Sequence, residues 1–321
     1  MSIVISHKSA WRFWRTFAGN RATLPKSRRT KLTDAPVSLT ADLLEELASL
    51  AIPITANLPL DLLFSTAAVR SRAKRVRAHH TSRPLPPGSL IPLSDHVFVT
   101  CPELTFLQIA GEYTVAQLAM IGAEMCGTYR LFDTSGARLA HQAERRPITS
   151  PDAIIAYGTA LGLAGNSPAF QAARFIPENA ASPMEAMVAL LLALPRTRGG
   201  YGLPTPTLNH PIALSREATL MYPHSPCRCD LYWPDTRLDV EYEGREAHEM
   251  AFVEDSARRA ALMHEQIDVI VLTKQQVYDA DVFDAVAALI ADKLGVRIRF
   301  RGNPERLAAA RRALRKELGL S

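Results

Sequence analysis

The residues able to do chemistry cluster in one stretch, Cys227–Asp255, which reads CRCDLYWPDTRLDVEYEGREAHEMAFVED. Within it Leu238, Val240 and Tyr242 alternate with Asp239, Glu241 and Glu243. On a β-strand this period of two sends the apolar set to one face and the three carboxylates to the other. Acids sharing a face repel one another unless water solvates them or a cation bridges them. Pro234-Asp235 supplies a turn, so Cys227–Trp233 is expected to lie beside this strand with Asp230 roughly opposite Val240–Glu241. Hard divalent ions such as Mg2+ or Mn2+ take carboxylate oxygens. Held by two or three of them, such an ion activates water against a phosphodiester. The competing reading is an exposed edge strand whose acids keep it soluble.

Other groups near this stretch also have two readings. His248, four residues beyond Gly244, is placed to act as acid, base or ligand, or as an ordinary structural histidine. Ser182-x-x-Glu185 has the spacing of a capping box, so Glu185 either serves the first turn of a helix or faces the acids. Asp255 and Arg258 match an i, i+3 helix pair. Cys227, Cys229 and His224 hint at zinc, but no second cysteine pair completes such a site, and buried reduced thiols are the expectation.

Elements must hold these groups in place. Met184–Leu194 reads as an apolar helix, with breakers at Gly199–Pro206. Extended segments are expected at Thr207–Leu214, Ala218–Tyr222, Cys227–Trp233 and Leu238–Tyr242. A helix over Val253–Gln266, a buried-type strand Ile267–Thr273 and a helix over Val282–Leu294 follow. Val296–Phe300 reads as a short strand feeding a basic helix, Pro304–Leu318. The order predicts an α/β fold, a mixed sheet flanked by helices. Before it stands a basic, irregular α+β region, expected to be the smaller domain. Its helical patterns fall at Ser9–Phe17, Ser38–Leu50, Glu103–Ala110 and Val115–Cys126, with a strand pattern at Ile91–Val99. Ala153–Leu163 and Pro168–Arg174 read as short connecting helices. The expected divisions are therefore 1–150, 151–181, 182–295 and 296–321.

The 321 residues are 47% hydrophobic, enough for a sizeable core and against a disordered chain. Apolar runs such as Met187–Leu194 are too short to span a bilayer, and Ser6-His7-Lys8 interrupts any leader-like start. A soluble, cytoplasmic protein is the expectation. The net charge is +5 and arginine dominates the basic residues, which suits a phosphate-bearing partner such as DNA. Basic groups occur at Arg12–Lys31, at Arg70–Arg83 with Arg72, Lys74 and Arg75, and in the C-terminal run. There Arg311, Arg312 and Arg315 recur at helical spacing, while Leu307, Leu314 and Leu318 would pack the other side. Each basic run is either a DNA-phosphate contact or a solvated face.

Taken in order, Ser182–Glu185, Asp230 within CDLYWP, LDVEYEG with His248, FVEDSARR and IDVIVLT resemble successive blocks of one family. It is the endonuclease-like domain related to very-short-patch repair endonucleases, in the PD-(D/E)xK restriction-endonuclease-like superfamily. The resemblance covers about Ser182–Tyr278. It implies a Mg2+- or Mn2+-dependent endonuclease acting on DNA, in phage defence or repair. It also implies Asp230 and Glu241 as principal metal ligands and Glu185 as support for the metal or its water. By the same resemblance Glu243 stands where the family has a second acid, His248 aids water activation or the leaving group, and Asp255 orients that shell. The superfamily's usual lysine is replaced by Glu243, which leaves the general base unassigned and admits a non-cleaving domain. SHKSAWRFW and VFVTCPELTFLQIA resemble the antitoxin-like module of abortive-infection toxin–antitoxin systems. That likeness implies a regulatory setting and a partner protein encoded by a neighbouring defence gene.

Overall fold

The computed structural model describes all residues except 1, 18, 26, 28, 33–38, 51, 53, 55–57, 68–74, 134–138, 143–144, 225, 245–248, 299–302 and 321. The chain divides into two compact units, 1–174 and 175–321. The first is therefore not the smaller one. The segments expected as connecting helices pack largely into it, because their apolar faces have partners there.

The first unit is built from β1 (Ile3–Ile5), α1 (His7–Thr16), α2 (Ala41–Ser49), β2 (Leu60–Phe64), β3 (Val76–His80), β4 (Leu90–Pro92) and β5 (Val97–Thr100). Then come α3 (Pro102–Ile109), α4 (Val115–Cys126), the paired β6 (Arg130–Asp133) and β7 (Leu139–Gln142), α5 (Pro151–Ala160) and α6 (Pro168–Ala173). Its main sheet has the order β3-β2-β1-β5-β4. The single strand pattern read at Ile91–Val99 is two antiparallel strands, broken where 93–96 turn. Buried Ile3, Val4 and Ile5 form the central strand, beside buried Leu60, Leu62 and Phe64. Asp61, buried in β2, accepts hydrogen bonds from the backbone N–H and hydroxyl of Ser9 and pairs with His79, which ties α1 to the sheet. The Trp14 indole donates to the Thr100 carbonyl.

The second unit contains α7 (Pro183–Ala193), β8 (Thr207–Ile212), α8 (Arg216–Met221), β9 (Cys227–Trp233) and β10 (Leu238–Glu243). α9 (Glu249–His264), β11 (Asp268–Thr273), α10 (Lys274–Tyr278), α11 (Ala280–Lys293) and α12 (Pro304–Glu317) follow. Its sheet runs β11-β10-β9-β8; β10 and β11 are parallel, joined through α9, and the other neighbours are antiparallel. The expected α/β layout, a mixed sheet flanked by helices, is what forms. Of Ala218–Tyr222, expected to be extended, all but Tyr222 is instead in α8, because the Ser215 hydroxyl caps Ala218 N–H and nucleates a turn there. Residues 296–298 form no strand. The Trp233 indole closes one end of β9 by donating to the Pro204 carbonyl at 2.8 Å. No helix among the described residues is long and apolar enough to cross a membrane.

α12 is a structural helix of this unit. Leu314 and Leu318 are buried as expected, and so is Arg315 at 6% exposure. Its guanidinium donates to the carbonyls of Val277 and Tyr278, both at 2.7 Å, at the end of α10. Arg311 pairs with Asp284 and lies over the Tyr201 ring. The expected DNA-contacting face of Arg311, Arg312 and Arg315 is thus not formed: two of the three are occupied within the unit, and Arg312 is exposed.

Candidate active site

β10 lies between β9 and β11, so the reading of an exposed edge strand does not hold. Asp239 is fully buried and Glu241 is 4% exposed. Two strands and one helix bring four acids into electrostatic contact: Glu185 from α7, Asp230 from β9, and Asp239 and Glu241 from β10.

The sheet is irregular where Asp230 sits. β8 and β9 pair Leu208 with Leu231 and His210 with Cys229, while Asn209 and Asp230 between them drop out of the ladder. Asn209 has a left-handed backbone, with φ +50. Cys229 and Tyr232 belong to one buried cluster with Leu262 of α9 and Ile267, although they lie an odd three positions apart along the strand. Alternation along β9 is therefore reset between those two residues. Asp239, opposite Tyr232, shares that side of the sheet. One Asp230 oxygen accepts the Tyr242 N–H at 3.0 Å.

Glu185 faces the acids while its side chain also serves the backbone just ahead of its helix. Ser182 does cap its N–H, but the glutamate side chain does not close the capping box on the Ser182 backbone N–H. Its Oε2 accepts from Ala181 N–H at 2.8 Å and from the Asn209 amide at 2.6 Å. Burial and then the Asp230 charge push its pKa up. Burial likewise raises Asp230, and the nearby Asp255 adds to the effect. Asp239 is pushed up to about 9 by burial and by the charges of Glu241 and Asp230. Neither of its oxygens, nor Glu241 Oε1, makes a hydrogen bond of good geometry, although the Cys229 thiol and the Glu241 carboxyl lie close to Asp239. Burial raises Glu241 to about 7, opposed by Arg258. Arg258 reaches Glu241 Oε2 at 2.7 Å and also donates to the Arg228 carbonyl, so its ion-pair partner is not Asp255. Glu243, in the lysine's place, lies 3.5 Å from Arg259.

The structure thus brings Glu185, Asp230 and Glu241 together, with Asp255 nearby and Glu243 turned to α9. His248 lies outside the described residues, as do Arg72 and Lys74. Arg75 is exposed, one residue before β3. Sequence reasoning passed over Asn209 and Arg258 as site residues and gave Asp239 no role. Asp239 was visible in the alternation, and Arg258 in the FVEDSARR block. Asn209 carried no signal. Cys227 and Cys229 are free, buried thiols.

Among the described residues, no group of three His, Cys, Asp or Glu side chains is gathered as a metal site. The donors nevertheless fit a hard divalent ion in kind. They are carboxylate oxygens, several are buried without a well-formed hydrogen bond, and their mutual repulsion is what added positive charge relieves. No protein-family model, curated protein or solved structure matches the chain.

Proposed function

We propose that the second unit is a Mg2+- or Mn2+-dependent phosphodiesterase acting on DNA. The observation that carries this reading is the cluster of buried Glu185, Asp239 and Glu241 with half-buried Asp230, in which three carboxylate oxygens have no well-formed hydrogen bond. Such an arrangement costs stability and is kept where it does chemistry. Asp230 and Glu241, supported by Glu185, would hold the ion. When bound, it supplies positive charge for the scissile phosphate. Asp239 keeps its proton at neutral pH, so it limits the charge these acids carry together. Arg258 holds Glu241 in one rotamer and neutralises it. Tyr242 N–H fixes one Asp230 oxygen and leaves the other for a ligand. Glu243 and, by the resemblance alone, His248 are the candidates for moving a proton. The setting that accompanies this reading is the cytoplasm, in phage defence or repair, with a partner from a neighbouring defence gene.

The second reading is a non-cleaving DNA-binding or regulatory protein of a toxin–antitoxin type. It is favoured by Arg258, which already neutralises Glu241, and by Glu243 in place of a lysine. A nicking assay on supercoiled, single-stranded and branched DNA with Mg2+ or Mn2+ separates the two. Cleavage that Asp230→Asn and Glu241→Gln abolish, without lowering the melting temperature, supports the enzyme. DNA binding with no cleavage in any metal supports the second reading.

A further inference from the structure

We propose that Asn209 is the positioning residue of the carboxylate cluster, its backbone freeing Asp230 and its side-chain amide fixing Glu185. The inference rests on the metal-dependent reading above for its purpose, but on separate geometry for its substance. A non-glycine residue at φ +50 is strained unless its surroundings hold it. Here they do. The Asn209 amide donates to Glu185 Oε2 at 2.6 Å and to the Asn179 carbonyl at 2.9 Å, and the Asn209 carbonyl accepts from Arg228 at 3.1 Å. The left-handed residue takes the Asn209–Asp230 pair out of the β8–β9 ladder. Released from regular alternation, Asp230 turns its carboxylate to the Tyr242 N–H of β10. A single residue thereby sets the distance between an acid on a helix and an acid on a strand. Asparagine suits both tasks: it tolerates the left-handed region, and it carries the amide donor that aspartate lacks.

The test is Mn2+ binding to the full-length protein, read by loss of the free-ion EPR signal, together with urea unfolding. Wild type, Asn209→Gly, Glu185→Gln and the double variant are compared. Glycine accepts the φ of this position, so Asn209→Gly keeps the fold and removes only the amide. The expected result is about tenfold weaker Mn2+ binding in Asn209→Gly, as for loss of a group that orients a ligand. The double variant should bind no more weakly than Glu185→Gln alone. In unfolding, the midpoint shift of the double variant should be smaller than the sum of the single shifts. Wild-type affinity in Asn209→Gly, or additive effects in both measurements, would overturn the inference. If wild type itself binds no Mn2+, the metal reading fails, and the unfolding cycle alone decides the positioning role. Non-additive midpoint shifts then uphold it, and additive ones overturn it.

Discussion

A carboxyl buried among other acids holds its proton far above the pH at which a solvated one gives it up, and Asp239 does so up to about pH 9. An unfolded aspartate titrates near pH 4, so between those values the folded chain binds a proton that the unfolded chain has lost. Stability from this group is therefore whole at low pH and falls as pH rises toward 9. Asp239→Asn keeps the shape and removes the titration. In metal-free urea unfolding, its stability should decline less steeply with pH, and it should exceed wild type by about 1 kcal/mol at the alkaline end. A slope identical to wild type would mean that Asp239 is ionised in the fold. Arg258 gives a complementary expectation. Arg258→Met leaves Glu241 buried without its cation, a loss of about 3 kcal/mol for a one-sided break. Glu241 then takes up a proton, so the loss should shrink at acid pH. If the proposed function holds, Mg2+ should raise the melting temperature of Arg258→Met by more than that of wild type; equal increments would place the ion elsewhere. Asp230 and Glu241 were legible in the sequence because acids in a strand pattern are conspicuous. The burial of Asp239 was not, since alternation tells which residues share a face and not what covers that face.

At the scale of elements, α12 shows how a helical repeat misleads. Arg311 and Arg315 do share a face, as their spacing requires, but it is the inward one. A guanidinium on a long apolar stem can pack like a hydrophobe while its head finds carbonyls. Arg315→Gln should therefore destabilise the second unit, by about 2 kcal/mol for two buried carbonyls that lose a charged donor. Arg312→Gln should leave its stability within about 0.5 kcal/mol of wild type. Thermal unfolding of the two single variants checks this, and equal stability would return Arg315 to the surface. The long periodic helices and the strands beside the acids were read correctly for the same reason: both patterns are strong and local. α8 was missed because a single serine cap decided six residues against a weak β-like pattern. β1 was missed because Ile3–Ile5 is too short for alternation to show, and its place in the centre of a sheet depends on partners far along the chain.

For the whole molecule, the organising fact is that each unit has its own sheet and buried core. The break at 174/175 lies about where the first unit's apolar helices end, and the division expected at 150/151 falls inside that unit. α12 belongs with the acids, because Gly199, at φ +89, has no room for a side chain beside the Ala310 carbonyl. A fragment of residues 175–321 should thus fold cooperatively, and ending it at residue 303 should abolish or broaden its thermal transition. A sharp, unchanged transition in the shorter fragment would show α12 to be dispensable. The tryptophans fall unevenly across this division: Trp11 and Trp14 precede it and Trp233 follows. Trp233 is buried at the end of β9, the strand that carries Asp230, with its indole N–H already engaged. Incorporation of fluorotryptophan would then give one 19F resonance for the carboxylate-bearing sheet and two for the other unit, so ion binding and the melting of each half become separately visible in one unmutated sample.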